Sequence, residues 1–198
     1  MSTGPGTAAV VALVSSRGGL DALSRVLEVM PAQLPACVIA LQHTDPSRAS
    51  QLAPLLDRVG PLAVAEARDG EALALGRVLV APSGFHTLVT RDRTLALVRS
   101  GERPPNRPSA DLLLASLAVA VGPDAIAVVL TGFGHDGAAG ASAIKRLGGV
   151  LIASSLATSQ APSMPEAAID TGVVDHVLAL DDIGAALADL VSRTNTRP

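Results

Sequence analysis

Three short stretches carry side chains able to do chemistry. "VALVSSRGG" places Ser15 and Ser16 ahead of Arg17, Gly18 and Gly19. "VIALQHTDP" places His43 and Asp45 behind a second apolar run, and "VVLTGFGHDGAAG" places His135 and Asp136 behind a third. A hydroxyl, an imidazole and a carboxylate brought into one crevice are the parts of an acyl-transfer site. Serine is a weak nucleophile until a base takes its proton, and histidine can do so near neutral pH. A carboxylate fixes the tautomer of the imidazole and supports its positive charge. Glycines let the backbone approach a substrate closely, and amides at the start of a helix can stabilise an oxyanion. Each stretch taken singly has a plainer reading. Serine before glycines suits a turn or helix cap, a histidine after a strand is ordinarily a bystander, and Asp136 before Gly137 suits an N-cap. The joint pattern is what carries weight, because all three would have to meet by accident.

The elements that must position these residues are legible. Strands are expected at about 8–14, 36–42, 62–66, 77–81, 86–91, 94–98, 124–131, 149–154 and 173–178. Helices are expected at about 20–30, 47–57, 109–121, 137–147, 164–171 and 181–193. "AAVVALV", "CVIALQ" and "AIAVVLT" are continuous apolar runs, the mark of strands buried on both faces. Their alternation with helices predicts an α/β fold: a doubly wound, mostly parallel sheet in three layers (α/β/α). The segment 76–98 breaks the alternation. "GRVLVAP", "FHTLVT" and "TLALVRS" read as short antiparallel strands, a small β insertion turning at "RDR". Ser109 is placed to cap the helix that follows the loop "SGERPPNRPSAD", with Asp111 at its positive end. Residues 1–7 read as a flexible leader, 8–193 as a single domain and 194–198 as a frayed tail. In open sheets of this kind, ligands sit beyond the carboxyl ends of the strands, where all three stretches lie.

Composition narrows the function. The chain has 198 residues, a formal net charge of -3, no Trp or Tyr and two Phe. The core is therefore aliphatic. Without a basic block or stacking platforms, no nucleic-acid partner is expected. The single cysteine, Cys37, excludes an internal disulfide and a multi-cysteine zinc site, and its apolar setting predicts a buried, inert thiol. No apolar run reaches the ~20 residues of a membrane span, so no membrane insertion is expected. The N-terminus lacks the basic region of a signal peptide, and a cytoplasmic location is expected. His43, Asp45, His135 and Asp136 lack a recognised metal-ligand spacing, so neither metal nor other cofactor is expected. A phosphate-binding reading of "SSRGG" lacks the Lys-Ser/Thr ending of a nucleotide loop and the G-x-G-x-x-G pattern. Nothing in the sequence sets an oligomeric state.

The string "SSRGG…LQH…VAPSGFH…NRPSAD…LTGFGHDGAAG…SMPEAAI" resembles the catalytic domain of the chemotaxis protein-glutamate methylesterases, the CheB family, over roughly 8–190. The resemblance implies a doubly wound α/β sheet with an antiparallel addition. It implies a serine hydrolase that removes methyl groups from glutamate methyl esters of chemoreceptors as methanol, with receptor glutamines deamidated by some members. Residue by residue, it places the nucleophile on Ser16, the base on His43 and the orienting carboxylate on Asp136, with Ser15 as a small neighbour. Arg17, Gly18, Gly19, Phe133 and Arg107 are the substrate and oxyanion candidates, with amides near Arg17 and Phe133 as the oxyanion site. The implied partner is a methylated chemoreceptor or another protein substrate.

Departures from the family pattern bear on this reading. Arg17 stands where the family has threonine: it could attract acidic receptor helices, support a developing oxyanion or block the pocket, and a solvent-facing arginine is the plainer reading. Asn106 replaces a motif histidine in a shortened 103–109 loop, while Arg107 and Ser109 remain. Leu156 and Pro162 replace acidic and aromatic positions. His86 keeps its family position with a structural role expected, and His135 falls on a variable position and is expected to be exposed. Many members carry an N-terminal receiver domain. None is read here, which implies control by a separate regulatory protein or none. The alternative reading is a catalytically weak or inactive domain that acts as a binding or scaffold module.

Overall fold

The computed structural model of the protein describes residues 8–45, 50–100 and 106–196. Nine strands and six α-helices follow one another along them, with four strands in succession between the second and third helices. They are β1 (Val10–Ser15), α1 (Gly19–Glu28), β2 (Cys37–Gln42), α2 (Leu52–Leu56), β3 (Ala63–Glu66), β4 (Arg77–Val80), β5 (His86–Val89), β6 (Leu95–Val98), α3 (Ala110–Val121), β7 (Ala125–Val129), α4 (Ala138–Arg146), β8 (Val150–Ser154), α5 (Ser163–Asp170), β9 (His176–Leu178) and α6 (Leu180–Thr194). Seven strands form one sheet in the order β3-β4-β2-β1-β7-β8-β9, and every pairing in it is parallel.

The continuous apolar runs have a direct physical cause. All six residues of β1 are buried. Val11 and Leu13 enter a core shared with Leu23, Leu27, Leu56, Ile183 and Leu187, from α1, α2 and α6. Val10, Ala12 and Val14 enter a second core with Leu113, Leu114, Leu117, Ile144 and Met164, from α3, α4 and α5. Each strand thus feeds two helical layers at once, and neither face tolerates polar side chains. In α3 the buried positions Ala110, Leu113, Leu114, Leu117, Ala118 and Val121 recur at helical spacing and form the stripe against the sheet.

The helix after β1 lies on one face and the helix after β7 on the other. The chain therefore winds away from the β1–β7 boundary in both directions. This is the topological switch point, where a crevice opens beyond the strand ends. Ser16 follows β1, Asp136 follows β7, and His43 follows β2 on the other side of β1.

Three expectations change. β4, grouped with the antiparallel insertion in the sequence reading, is a parallel strand between β3 and β2. Its Val78, Leu79 and Val80 are all buried, so it lies inside the sheet. The antiparallel pair is β5–β6, with His86 opposite Val98 and Val89 opposite Leu95, and an isolated antiparallel bridge joins Ala72 to Thr94. The helix expected over 47–57 runs only from Leu52 to Leu56 in the described chain, and residues 47–49 lie outside the described residues. The last strand is shorter than 173–178. Asp175 precedes it, and its carboxylate accepts from the Leu151 amide and from Lys145 Nζ, so it serves as a brace. Residues 1–7 and the loop segment 101–105 lie outside the described residues. At the other end, the Asn195 side chain accepts from the Ala9 amide and donates to the Pro35 carbonyl, joining the end of α6 to the start of β1.

Candidate active site

Ser15 and Ser16 separate cleanly. Ser15 is fully buried, and its hydroxyl donates to the Leu41 carbonyl at 3.1 Å. Its hydrogen-bonding need is met inside the sheet. Ser16 lies one residue past the strand end and is half-buried. Its amide donates to the Thr131 carbonyl at 2.9 Å, and its carbonyl accepts from Gly19 at the start of α1. Among the described residues its hydroxyl makes no hydrogen bond. A Cβ built on Gly132 would lie 2.7 Å from Ser16 Cβ, so the β7 end loop passes directly against this serine.

His43 is anchored through its own amide, which donates to the Ser15 carbonyl at 2.9 Å. Its Nε2 meets Asp136 Oδ2 at 2.8 Å, and the two side chains are only 10% and 12% exposed. Two of the three chemical groups singled out in the sequence are thus in contact.

Asp136 is held by more than His43. Its Oδ1 accepts from Ser109 Oγ at 3.1 Å and the Asp111 amide at 2.9 Å, and its Oδ2 also accepts from the Ala110 amide at 2.9 Å. These donors open α3, so the carboxylate sits on a helix N-terminus, where orphan amides and the helix dipole favour negative charge. Burial opposes its ionisation. The hydrogen bonds from His43 and from the Asp111 and Ala110 amides outweigh burial and hold the carboxyl down at about 2. Asp111 goes the other way: burial pushes its carboxyl up, the Asp136 charge adds to this, and the Gly140 and Gly137 amides oppose it.

The other candidates are placed as follows. Arg17 is exposed, and its carbonyl lies 3.0 Å from Thr131 Oγ1, which fixes the backbone and leaves the side chain outward. Gly18 packs against Gln160, where an added Cβ would lie 2.3 Å from Oε1, and Gly19 packs against Ser15, where it would lie 2.4 Å from Oγ. Both glycines therefore serve close approach within the protein. Phe133 is 65% exposed. The amides of Ser16 and Gly132 are spent on the Thr131 and Ala161 carbonyls. Those of Arg17 and Phe133 have no hydrogen-bond partner among the described residues. Arg107 donates to the Ser100 carbonyl at 2.8 Å. His86 is buried, with Nε2 2.9 Å from Ser100 Oγ and Nδ1 without a partner among the described residues. Burial and the Arg107 charge push its imidazole down, with Asp136 acting against them. His135 is exposed. Beside the site, an open cleft of about 280 Å³ is lined by residues that include Leu20, Gln42, Thr44, Leu52 and Leu55.

Sequence reasoning missed the part played by Ser109 and Asp111. The sequence assigns both to their own helix, but the Ser109 hydroxyl also donates to Asp136, and Asp111 Oδ1 accepts from the Gly137 and Gly140 amides at the start of α4. The signal was the acid at the start of each helix. Which helix each acid serves is set by how the two pack.

The fold and site define a class: an open parallel α/β domain with a serine and a buried histidine–aspartate pair at its switch point. Comparison with known proteins makes it specific. The family model of the CheB methylesterases matches residues 11–187. A protein-glutamate methylesterase/protein-glutamine glutaminase from Myxococcus xanthus is 44% identical over 187 residues, 93% of this chain and 54% of that protein. One from Geobacillus kaustophilus is 40% identical, covering 92% of this chain and 54% of that protein. The crystal structure of the Thermotoga maritima CheB methylesterase catalytic domain superposes with a TM-score of 0.87 at 34% identity, covering 92% of this chain and 98% of that one. The chain belongs to the CheB methylesterase family. It spans about half the length of the curated relatives it matches.

Proposed function

We propose that this domain is a serine hydrolase that cleaves glutamate methyl esters on a protein substrate, with Ser16, His43 and Asp136 as its triad. The reading extends to the γ-amides of glutamine, in keeping with the double name of the relatives. The observation that carries it is the 2.8 Å contact between His43 Nε2 and Asp136 Oδ2, on strand ends that flank Ser16.

An ionised carboxylate only accepts, so Nε2 carries the proton in that contact. Nδ1 is then the lone pair left for Ser16. As Ser16 Oγ bonds to the γ-carbonyl carbon, its proton passes to His43 Nδ1. The imidazolium gains the support of Asp136, which stays ionised because its carboxyl is held at about 2. The tetrahedral oxyanion is met by the amides of Arg17 and Phe133. The C–O bond to the methoxy group breaks, and His43 returns the proton so that methanol leaves. Water then attacks the glutamyl-enzyme, giving its proton to His43, and Ser16 recovers a proton as the carboxylate departs. With an amide substrate the same steps release ammonia. A methylated chemoreceptor is the substrate that family membership suggests, acted on in the cytoplasm.

Methanol release from a methylated receptor or a model glutamyl ester is the test, with Ser16→Ala beside the wild type. Clear release by the wild type and its loss in the variant are expected. Equal, slow release by both, with no labelling of Ser16 by a fluorophosphonate probe, would favour the scaffold reading.

A further inference from the structure

Asp136 and Asp111 are 25 residues apart, and each caps the helix that belongs to the other. Asp136 stands immediately before α4, yet it accepts the Ala110 and Asp111 amides of α3 at 2.9 Å. Asp111 stands in the first turn of α3, yet its Oδ1 accepts the Gly137 and Gly140 amides at 2.8 Å each. The Gly137 nitrogen belongs to the peptide that joins it to Asp136. Its hydrogen bond to Asp111 therefore fixes the plane from which the Asp136 side chain springs.

We propose that Asp111 is a positioning residue for Asp136: the exchange of helix caps between the two carboxylates aims Asp136 Oδ2 at His43 Nε2. The proposal rests on the reading of Ser16, His43 and Asp136 as the reacting groups. Four amide hydrogen bonds lock the starts of α3 and α4 together, so neither helix can slide along the other without breaking them. An acid that capped its own helix would stabilise that helix but leave the crossing free. The exchange instead ties the orientation of Asp136 to the packing of two helices against the sheet, the rigid support a site with tight geometric tolerance needs. Ser109 Oγ, at 3.1 Å from Asp136 Oδ1, is a further donor to the same carboxylate. The other charged or titratable groups around Asp136 are His43 after β2, His86 on β5 and, beside His86, Arg107 before α3.

Two conservative variants separate position from charge. Asp111→Asn keeps an acceptor at the same reach and loses the charge. Asp111→Glu keeps the charge and moves the acceptor by one methylene. The readouts are the ¹H resonance of His43 Nε2–H, carried downfield by its bond to Asp136 and needing no activity, and ester kinetics. In Asp111→Glu, this resonance is expected to move upfield or broaden as Asp136 leaves its seat. In the same variant kcat is expected to fall on the order of 10²-fold, the scale of an ångström-level misplacement, with KM little changed. Asp111→Asn is expected to retain the His43–Asp136 pairing and most of kcat. The reverse order, or an unmoved His43 Nε2–H resonance in folded Asp111→Glu, would overturn the proposal. Absence of ester hydrolysis by the wild type would sink the hydrolase reading instead, while the resonance comparison would still decide whether Asp111 positions the pair.

Discussion

His43 meets Asp136 through Nε2, at 2.8 Å from Oδ2, so Nδ1 is the ring nitrogen left to act as a base. This is the reverse of the arrangement in which Nδ1 faces the carboxylate and Nε2 faces the nucleophile. It predicts a specific tautomer. The ¹⁵N spectrum of the neutral ring should show a protonated Nε2 and a bare Nδ1. A protonated Nδ1 would rule out the proton path from Ser16. Asp136→Asn should relax the preference and reduce kcat by roughly 10⁴-fold, the scale seen when a triad aspartate is made neutral.

The two adjacent serines should respond in opposite ways to alanine. Ser16→Ala should lose at least ~10³-fold in kcat with an unchanged melting temperature, since only binding and oxyanion stabilisation would survive. Ser15→Ala should keep most of its activity and lose about 1 kcal/mol of stability, the net worth of a typical hydrogen bond, measured by urea unfolding. Loss of activity confined to Ser15→Ala would reassign the nucleophile.

Asp136 ties stability to acid. Its carboxyl is held at about 2 in the folded protein, against ~3.9 in an unfolded chain. The folded state thus favours the ionised form, and this contribution is complete above about pH 4 and is lost as the pH falls towards 2. Asp111, pushed up in part by the Asp136 charge, has the opposite slope, so the difference between wild type and Asp136→Asn reads the two carboxyls together. Between pH 5 and 2, the wild type should lose more stability than the variant, by up to about 2 kcal/mol. Parallel curves would show that the carboxylate is not held as described.

Cys37 should be silent in the folded state. It is 2% exposed, and burial pushes its thiol up to about 12. Thiolate, the reactive form, is therefore scarce at neutral pH as well as hidden. A thiol reagent should react with it only after denaturant is added. Rapid labelling of the native protein would mean that the sheet opens at β2.

Arg17 offers a test of specificity. Its exposed cation beside Ser16 should favour esters flanked by acidic residues through the charge it adds to the mouth of the site. Arg17→Glu should lower kcat/KM for such peptides by about tenfold at low salt, with the effect shrinking as salt screens it. A gain in kcat/KM for every peptide in both Arg17→Thr and Arg17→Glu would mean that the side chain obstructs the pocket.

The sequence determined the layers of this protein and the strand ends that carry the candidate groups. Runs such as "VVALVS" and "CVIALQ" are apolar without interruption because helices cover both faces, and that pattern is visible without coordinates. A hydroxyl, an imidazole and a carboxylate just past three such runs could be named as residues on the same rule. Only the tertiary structure decided which partners those residues meet. β4 is as apolar as an internal strand and sits next to a hairpin in sequence, so its place between β3 and β2 could not be read from periodicity, which reports burial and not neighbours. The choice of Nε2 over Nδ1, the burial of Ser15 beside the half-exposed Ser16, and the exchange of caps between Asp111 and Asp136 have the same origin. Each depends on how elements tens of residues apart cross and pack. A hydrogen bond across 93 residues, like that of His43 with Asp136, leaves no mark in the local order of side chains.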